Sequence, residues 1–330
     1  MNLNEDINFS LWCDFIERDF LEEGFKVLLE KKLIHGATSN PAIFQNAILN
    51  SSAYEQQIIM LQANDDKRIY EELSTTDIKR AANIMKPLYD ENDEDGFISL
   101  EVDPRMCDDT FGTVEEGARL HQQINYENVM IKIPATEAGY VAMKNLSAMG
   151  IAVNATLIFS PEQAIKCAQA LDEGIKQSGK NTKAVISIFV SRFDRLLDNK
   201  MVASGLEDSK VGIVNATKCY HEIEKFENKN IRTLFASTGV KGDNLVPSYY
   251  IDQLIFPNSI NTAPLEAIKA WEEDGKKEPA DILSELECDE FFQVIEEKGI
   301  DINEAYESLL KDGLSAFKVS FDELLNKVRL

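Results

Sequence analysis

Hydrophobic residues in this chain gather into short runs separated by longer stretches with helical spacing. The runs are "FSLWCDF" (9–15), "LIHGATS" (33–39), "GFISLEVD" (96–103), "NVMIKIPA" (128–135), "IAVNATLIF" (151–159), "KAVISIFVS" (183–191), "RTLFAST" (232–238) and the short "SINTA" (259–263). Between them lie segments such as "ERDFLEEGFKVLLEKK", "TVEEGARLHQQIN" and "SPEQAIKCAQALDEGIKQSG". Most runs are continuous, not strictly alternating, which suits strands of a parallel sheet covered on both faces. Strands that alternate with helices, each but the last followed by clear helix, predict an α/β fold, a (β/α)8 TIM barrel. A doubly wound open sheet is the alternative, and 259–263 is the weakest of the strands.

The stretch between the second and third strands is helical in pattern, two or three helices, and "YDENDEDG" (89–96) closes it as an acidic turn. A helical tail follows the last strand. In it Leu310, Leu314, Phe317, Phe321, Leu324 and Val328 recur at spacings of four and three, forming one apolar stripe that packs against the outside of the domain or lids a cleft. No repeat or low-complexity linker interrupts the chain, so residues 1–330 are expected to form a single barrel domain.

Composition narrows the function. The 330 residues carry a net charge of −23, which disfavours nucleic acid and anionic membrane as partners, since both need a basic face. An anionic ligand would need a local cluster of cations against that mean field. The five cysteines, Cys13, Cys107, Cys167, Cys219 and Cys288, are scattered and odd in number, with no metal-ligand spacing, so a reducing compartment is expected. Cys13 reads as a small buried apolar residue. The N-terminus lacks a basic region followed by an apolar run, and no run approaches the roughly 20 apolar residues a membrane span needs. A cytoplasmic setting is the expectation.

In a parallel barrel the functional groups stand at the C-terminal ends of the strands. Those ends carry Asp14; Thr38, Ser39 and Asn40; Glu101 and Asp103; Lys132; Asn154 and Thr156; Ser187, Ser191 and Arg192; and Ser237 and Thr238 before "GVKGDN". Lys132 sits between Ile131 and Ile133. It is either a lysine paired to a buried acid or a nucleophilic amine. An amine kept from water gives up its proton more readily and can attack a carbonyl; the resulting iminium is an electron sink that permits cleavage of a carbon–carbon bond. Carboxyl groups must then move protons, and Asp14 and Glu101 are the candidates. Their structural alternatives are a helix cap and a salt-bridge partner.

Competing chemistries have thin support. His35 lies early in a strand, and His121 and His221 lie in helical segments and are expected to be solvated. No GxSxG, HExxH, GxGxxG or GxxxxGK[ST] motif occurs. "STGVKGDN" could offer backbone N–H groups to a phosphate or be an ordinary turn.

Together "GATSNPAIF", "EVDPR", "IKIPAT", "NATLIFS", "ISIFVSRFD" and "ASTGVKGDN" resemble the blocks of transaldolases, in a match that runs over essentially the whole chain. The resemblance implies a (β/α)8 barrel, no cofactor and no metal. It implies transfer of a dihydroxyacetone unit from sedoheptulose 7-phosphate or fructose 6-phosphate to an aldose phosphate, in the non-oxidative pentose phosphate pathway. Lys132 would be the Schiff-base lysine and Asp14 the acid/base at the breaking bond. Glu101 and Thr156 would hold the water that shuttles protons. Asn40, Asn154 and Ser187 would bind hydroxyls, and Arg192 with Ser237 would grip the phosphate. Some transaldolases carry an arginine two residues after that serine; here Gly239 stands there, and Lys241 is the nearest following cation. Ser191 stands where other members have glycine. Sugar phosphates are the expected partners, and a homodimer is compatible with the sequence.

Overall fold

The computed structural model describes residues 2–242 and 244–329. Eight parallel strands close into a barrel in chain order: β1 (Ser10–Cys13), β2 (Gly36–Ala37), β3 (Phe97–Glu101), β4 (Val129–Pro134), β5 (Val153–Ile158), β6 (Ala184–Phe189), β7 (Ile231–Ala236) and β8 (Ser259–Ala263). Closure comes from β8 pairing with β1, Ser10 against Ile260 through Cys13 against Ala263. This excludes the open sheet and confirms the weak eighth strand.

β2 is much shorter than its apolar run. Gly36 lies against the Trp12 indole so closely that a Cβ there would stand 2.5 Å from a ring carbon. A pair of helices, Arg18–Glu22 and Gly24–Glu30, leads from β1 to β2. The helical insertion after β2 comprises Pro41–Asn50, Glu55–Leu61 and the long helix Asp66–Glu91. That last helix, capped by the Asp65 side chain, runs into the acidic turn predicted for 89–96, so the turn is confined to 92–96 and ends on Gly96 at φ +76°. Later helices start at side-chain caps the sequence supplies: Asp109, Thr136, and a Ser160–Gln163 capping box ahead of Pro161. β7 departs from the expected pattern, because only the four-residue helix Tyr249–Asp252 follows it. The weak β8 is followed by the ten-residue helix Leu265–Asp274.

Alternate strand positions face different cores. Leu11, Cys13, Ile98, Leu100, Ile131, Ile133, Ala155 and Ile186 belong to the cluster shared with the outer helices. Inside the barrel, Trp12, Phe97, Met130, Val185, Leu234 and Ile260 form an apolar floor. Above that floor the inward positions turn polar: Ser99, Glu101, Lys132, Asn154, Thr156, Ser187 and Thr262, all buried. The apparently continuous apolar runs therefore hide an alternation that changes character toward the strand ends.

The tail helix Ile302–Lys327 packs along Pro41–Asn50 and over the end of β5. Its most buried line is Leu309, Gly313, Phe317, Phe321 and Leu324; Leu310 and Leu314 of the predicted stripe are only half-buried flanks. Gly313 is the reason. Its bare Cα lets the helix approach Leu157 and Phe159, which pulls that line inward. Among the described residues no helix is long and apolar enough to cross a membrane.

Candidate active site

Register places the central groups. Glu101 on β3 pairs with Lys132 on β4, which pairs with Asn154 on β5, so all three side chains point inward at neighbouring strands. Lys132 is 5% exposed; its Nζ donates to the Ser39 carbonyl at 3.1 Å and lies 3.9 Å from Glu101 Oε2. The Phe317 ring of the tail helix covers the amine, its centroid 6.0 Å away.

Glu101 is buried and neither carboxylate oxygen has a hydrogen-bond partner among the described residues. Burial pushes its carboxyl up to about 8, against the pull of the Lys132 charge. Thr156 Oγ1 is likewise buried without a partner. Thr156 shares the β5 inner face with Asn154, two residues away. The next residue, Leu157, sits at φ +59° where the register between β5 and β6 shifts, an irregularity of the kind found beside functional sites.

Asp14 follows β1 and anchors to the closing strand through its N–H to Ala263 O, 2.9 Å. Thr38 Oγ1 donates to Asp14 Oδ1 at 2.6 Å and stands 2.7 Å from Thr262 Oγ1, so Thr262 donates to Thr38. Burial raises the Asp14 carboxyl, opposed by the Lys132 charge and by the Thr38 hydroxyl. Asp14 is thus not a helix cap. Thr38 was visible in the sequence as a strand-end hydroxyl; Thr262 was not, because it lies in the weakest strand.

A cavity of about 100 Å³ opens at this end of the barrel, lined among others by Asp14, Asn40, Lys132, Ser187, Arg192, Ser237 and Phe317. Asn40 caps the helix Pro41–Asn50 with Oδ1, accepting from Ile43 N, while its amide nitrogen makes no hydrogen bond among the described residues. Asn154 is more committed: it donates to Ser99 Oγ at 2.9 Å and accepts from Ser187 Oγ at 2.7 Å. It orients Ser187 from behind, and Ser187 lines the cavity.

Arg192 also lines the cavity, half-buried, its guanidinium carbon 5.0 Å from the Phe189 ring centroid. Burial, and then the charge of Arg195, lower it to about 10. Ser237, in left-handed backbone at φ +55°, is tied to the first turn of the helix Ser191–Ala203, which carries Arg192: Ser191 N donates to Ser237 O at 3.0 Å and the two hydroxyls stand 3.2 Å apart. The serine at 191 thus makes a contact that glycine could not. Lys241 is not brought to the cavity. It is exposed and does not line the cavity, and Gly242 beside it sits at φ +85°.

None of the histidines lines the cavity. His221 is not the solvated residue expected, since it is half-buried with Nε2 2.7 Å from Leu283 O. His121 is half-buried as well, and burial lowers its pKa. All five cysteines are free and buried, and burial with the neighbouring Asp14 charge pushes the Cys13 thiol upward.

The family model described as Transaldolase/Fructose-6-phosphate aldolase matches residues 11–328. The chain belongs to this family. Among curated relatives, a transaldolase of Campylobacter jejuni subsp. jejuni serotype O:23/36 (strain 81-176) is 49% identical over 330 residues, covering 96% of this chain and 98% of the relative. A transaldolase of Helicobacter pylori (strain P12) is 46% identical over 317 residues, with the same coverage. As a member of the transaldolase family the chain is an enzyme that transfers aldehyde or ketone groups.

Proposed function

We propose that this chain transfers a dihydroxyacetone unit between sugar phosphates through a covalent imine at Lys132. The observation that carries the reading is the placement of a buried amine 3.9 Å from a buried carboxyl, at the edge of a cavity that also holds Asp14 and Arg192. Ketose phosphates such as sedoheptulose 7-phosphate and fructose 6-phosphate are the donors; glyceraldehyde 3-phosphate and erythrose 4-phosphate are the acceptors. That is the non-oxidative pentose phosphate reaction, in a cytoplasmic setting.

The Lys132 amine adds to the ketone carbon and gives a carbinolamine. Glu101, whose raised pKa keeps its proton near neutrality, supplies that proton to the departing hydroxyl, directly or through a water held with Thr156, and the iminium forms with loss of water. Asp14 accepts the proton of the hydroxyl beyond the breaking bond. The carbon–carbon bond electrons move into the iminium, leaving an enamine on Lys132 and releasing an aldose phosphate. An incoming aldehyde takes the enamine's electrons and the Asp14 proton, and water then hydrolyses the new imine. Asn40 and Ser187 hold the hydroxyls of the retained unit, with Asn154 fixing Ser187. Arg192 and Ser237 hold the phosphate, Arg192 being a local cation in an acidic protein.

Borohydride treatment in the presence of fructose 6-phosphate, followed by peptide mass spectrometry, is expected to give a reduced adduct on Lys132. No adduct despite confirmed sugar-phosphate binding would leave a binder, not an enzyme of this mechanism. Product analysis separates transfer from simple cleavage: the reading requires transfer to erythrose 4-phosphate to dominate over release of free dihydroxyacetone.

A further inference from the structure

Asp194 lies two residues beyond Arg192 and no step above uses it. It is 2% exposed, on the helix Ser191–Ala203. One carboxylate oxygen accepts from Gly212 N at 2.8 Å, at the start of the helix Val211–Glu224. The other accepts from the Tyr250 hydroxyl, also at 2.8 Å. Tyr250 is 3% exposed and its carbonyl accepts from Asn261 Nδ2 of β8 at 3.3 Å. The junction leaves no room for a side chain at 212, where a Cβ would stand 2.4 Å from the Val190 carbonyl and 3.1 Å from Asp194 Oδ2.

The segment between Ser237 and Tyr250 therefore meets the arginine-bearing helix at both ends. Ser237 bonds the helix start through Ser191, and Tyr250 bonds Asp194 one turn later. We propose that the Asp194–Tyr250 hydrogen bond is a positioning device for the phosphate seat, fixing the loop that carries Ser237 against the helix that carries Arg192. The device sets how far the seat stands from Lys132, and hence which phosphorylated sugars fit. This rests on the assignment of Arg192 and Ser237 to the phosphate. A hydrogen bond between two buried side chains is held against competition from water. The described residues between Thr238 and Ser248 are half-buried or exposed, so the position of this stretch depends on the buried bonds at its two ends.

The test compares Tyr250→Phe and Asp194→Asn with the wild-type enzyme, using fructose 6-phosphate as donor and either erythrose 4-phosphate or unphosphorylated D-glyceraldehyde as acceptor. Tyr250→Phe removes one hydroxyl and is expected to raise KM for the phosphorylated sugars about tenfold. Its kcat, and its kcat ratio between the two acceptors at saturating donor, should stay within about twofold. Asp194→Asn can still accept from Gly212 and can reverse the bond to Tyr250 by donating from its amide, so its KM should stay within about twofold. A wild-type KM in Tyr250→Phe, or an equal fall in kcat with both acceptors, overturns the proposal. So does an Asp194→Asn enzyme as impaired as Tyr250→Phe, which would make the negative charge, not the tether, the relevant property. Borohydride labelling of Lys132 in the same variants keeps the two ideas apart: labelling that survives with an unchanged KM sinks the tether alone, and no labelling even in the wild-type enzyme sinks the imine mechanism.

Discussion

Lys132 and Glu101 are register partners on adjacent strands, Nζ and Oε2 3.9 Å apart inside the barrel, and neither oxygen of the Glu101 carboxyl has a hydrogen-bond partner among the described residues. Burial dominates over the lysine's attraction, which is why the carboxyl rises to about 8 instead of falling. In a better-bonded ion pair the order would be reversed.

The raised carboxyl has a thermodynamic signature. Its ordinary value is 4.5, so between about 4.5 and 8 the folded chain holds a proton that the unfolded chain has shed. Stability from this group falls as pH rises through that window. Glu101→Gln removes the titration. Urea unfolding should show the variant gaining on the wild-type protein between pH 5 and pH 8.5; parallel curves would mean that Glu101 titrates normally. In activity the same variant should be slowed about 100-fold in imine formation and hydrolysis if general acid–base catalysis is lost.

Thr38 favours the charged form of Asp14 by donating to it. Thr38→Val keeps the side-chain shape and deletes the donor, so the Asp14 pKa should rise further. If Asp14 accepts the proton as the carbon–carbon bond breaks, the acid limb of the kcat/KM profile moves to higher pH. An unmoved acid limb would detach Asp14 from that step.

At Gly313 two effects oppose one another. Alanine is the better helix former by about 0.5–1 kcal/mol. Yet its Cβ would stand 3.0 Å from Leu157 Cδ2 and 3.3 Å from Arg192 Nη1. We expect the contact to win: Gly313→Ala should raise KM for phosphorylated sugars in the same direction as Arg192→Ala, by less. Steady-state kinetics on both variants checks this, and an unchanged KM in Gly313→Ala would show that the tail helix yields.

The insertion is pinned to the first helix pair by a buried ion pair. Arg18 Nε donates to Asp77 Oδ1 at 2.9 Å, with Ala53 O accepting from Nη1, Gln57 Oε1 accepting from Nη2 and Tyr54 stacked 4.4 Å below. Asp77→Ala strands the arginine charge and should cost about 3–5 kcal/mol. Joint replacement by apolar residues, Arg18→Met with Asp77→Leu, should recover most of that loss in urea unfolding. A double variant as unstable as the single would show that the pair's geometry matters beyond its charge balance.

Much of this protein was readable in its residues. Alternation of apolar runs with helical spacing is a local property, so the order of strands and helices survives without tertiary information. Polar groups at strand ends are equally local: period two places Glu101, and likewise Lys132, on the inner face of its strand. What the chain alone could not decide is which groups meet across large sequence separations. Asn154 reads as a ligand for substrate, yet it is held between Ser99 and Ser187 because barrel closure sets those strands side by side. Lys241 reads as the nearest cation, yet it is exposed and does not line the cavity, and the contact to Ser237 comes from Ser191. The Asp194–Tyr250 tether is invisible for the same reason. A side chain's hydrogen-bond partner depends on distances set only when the sheet closes, whereas its secondary structure is written in its immediate neighbours.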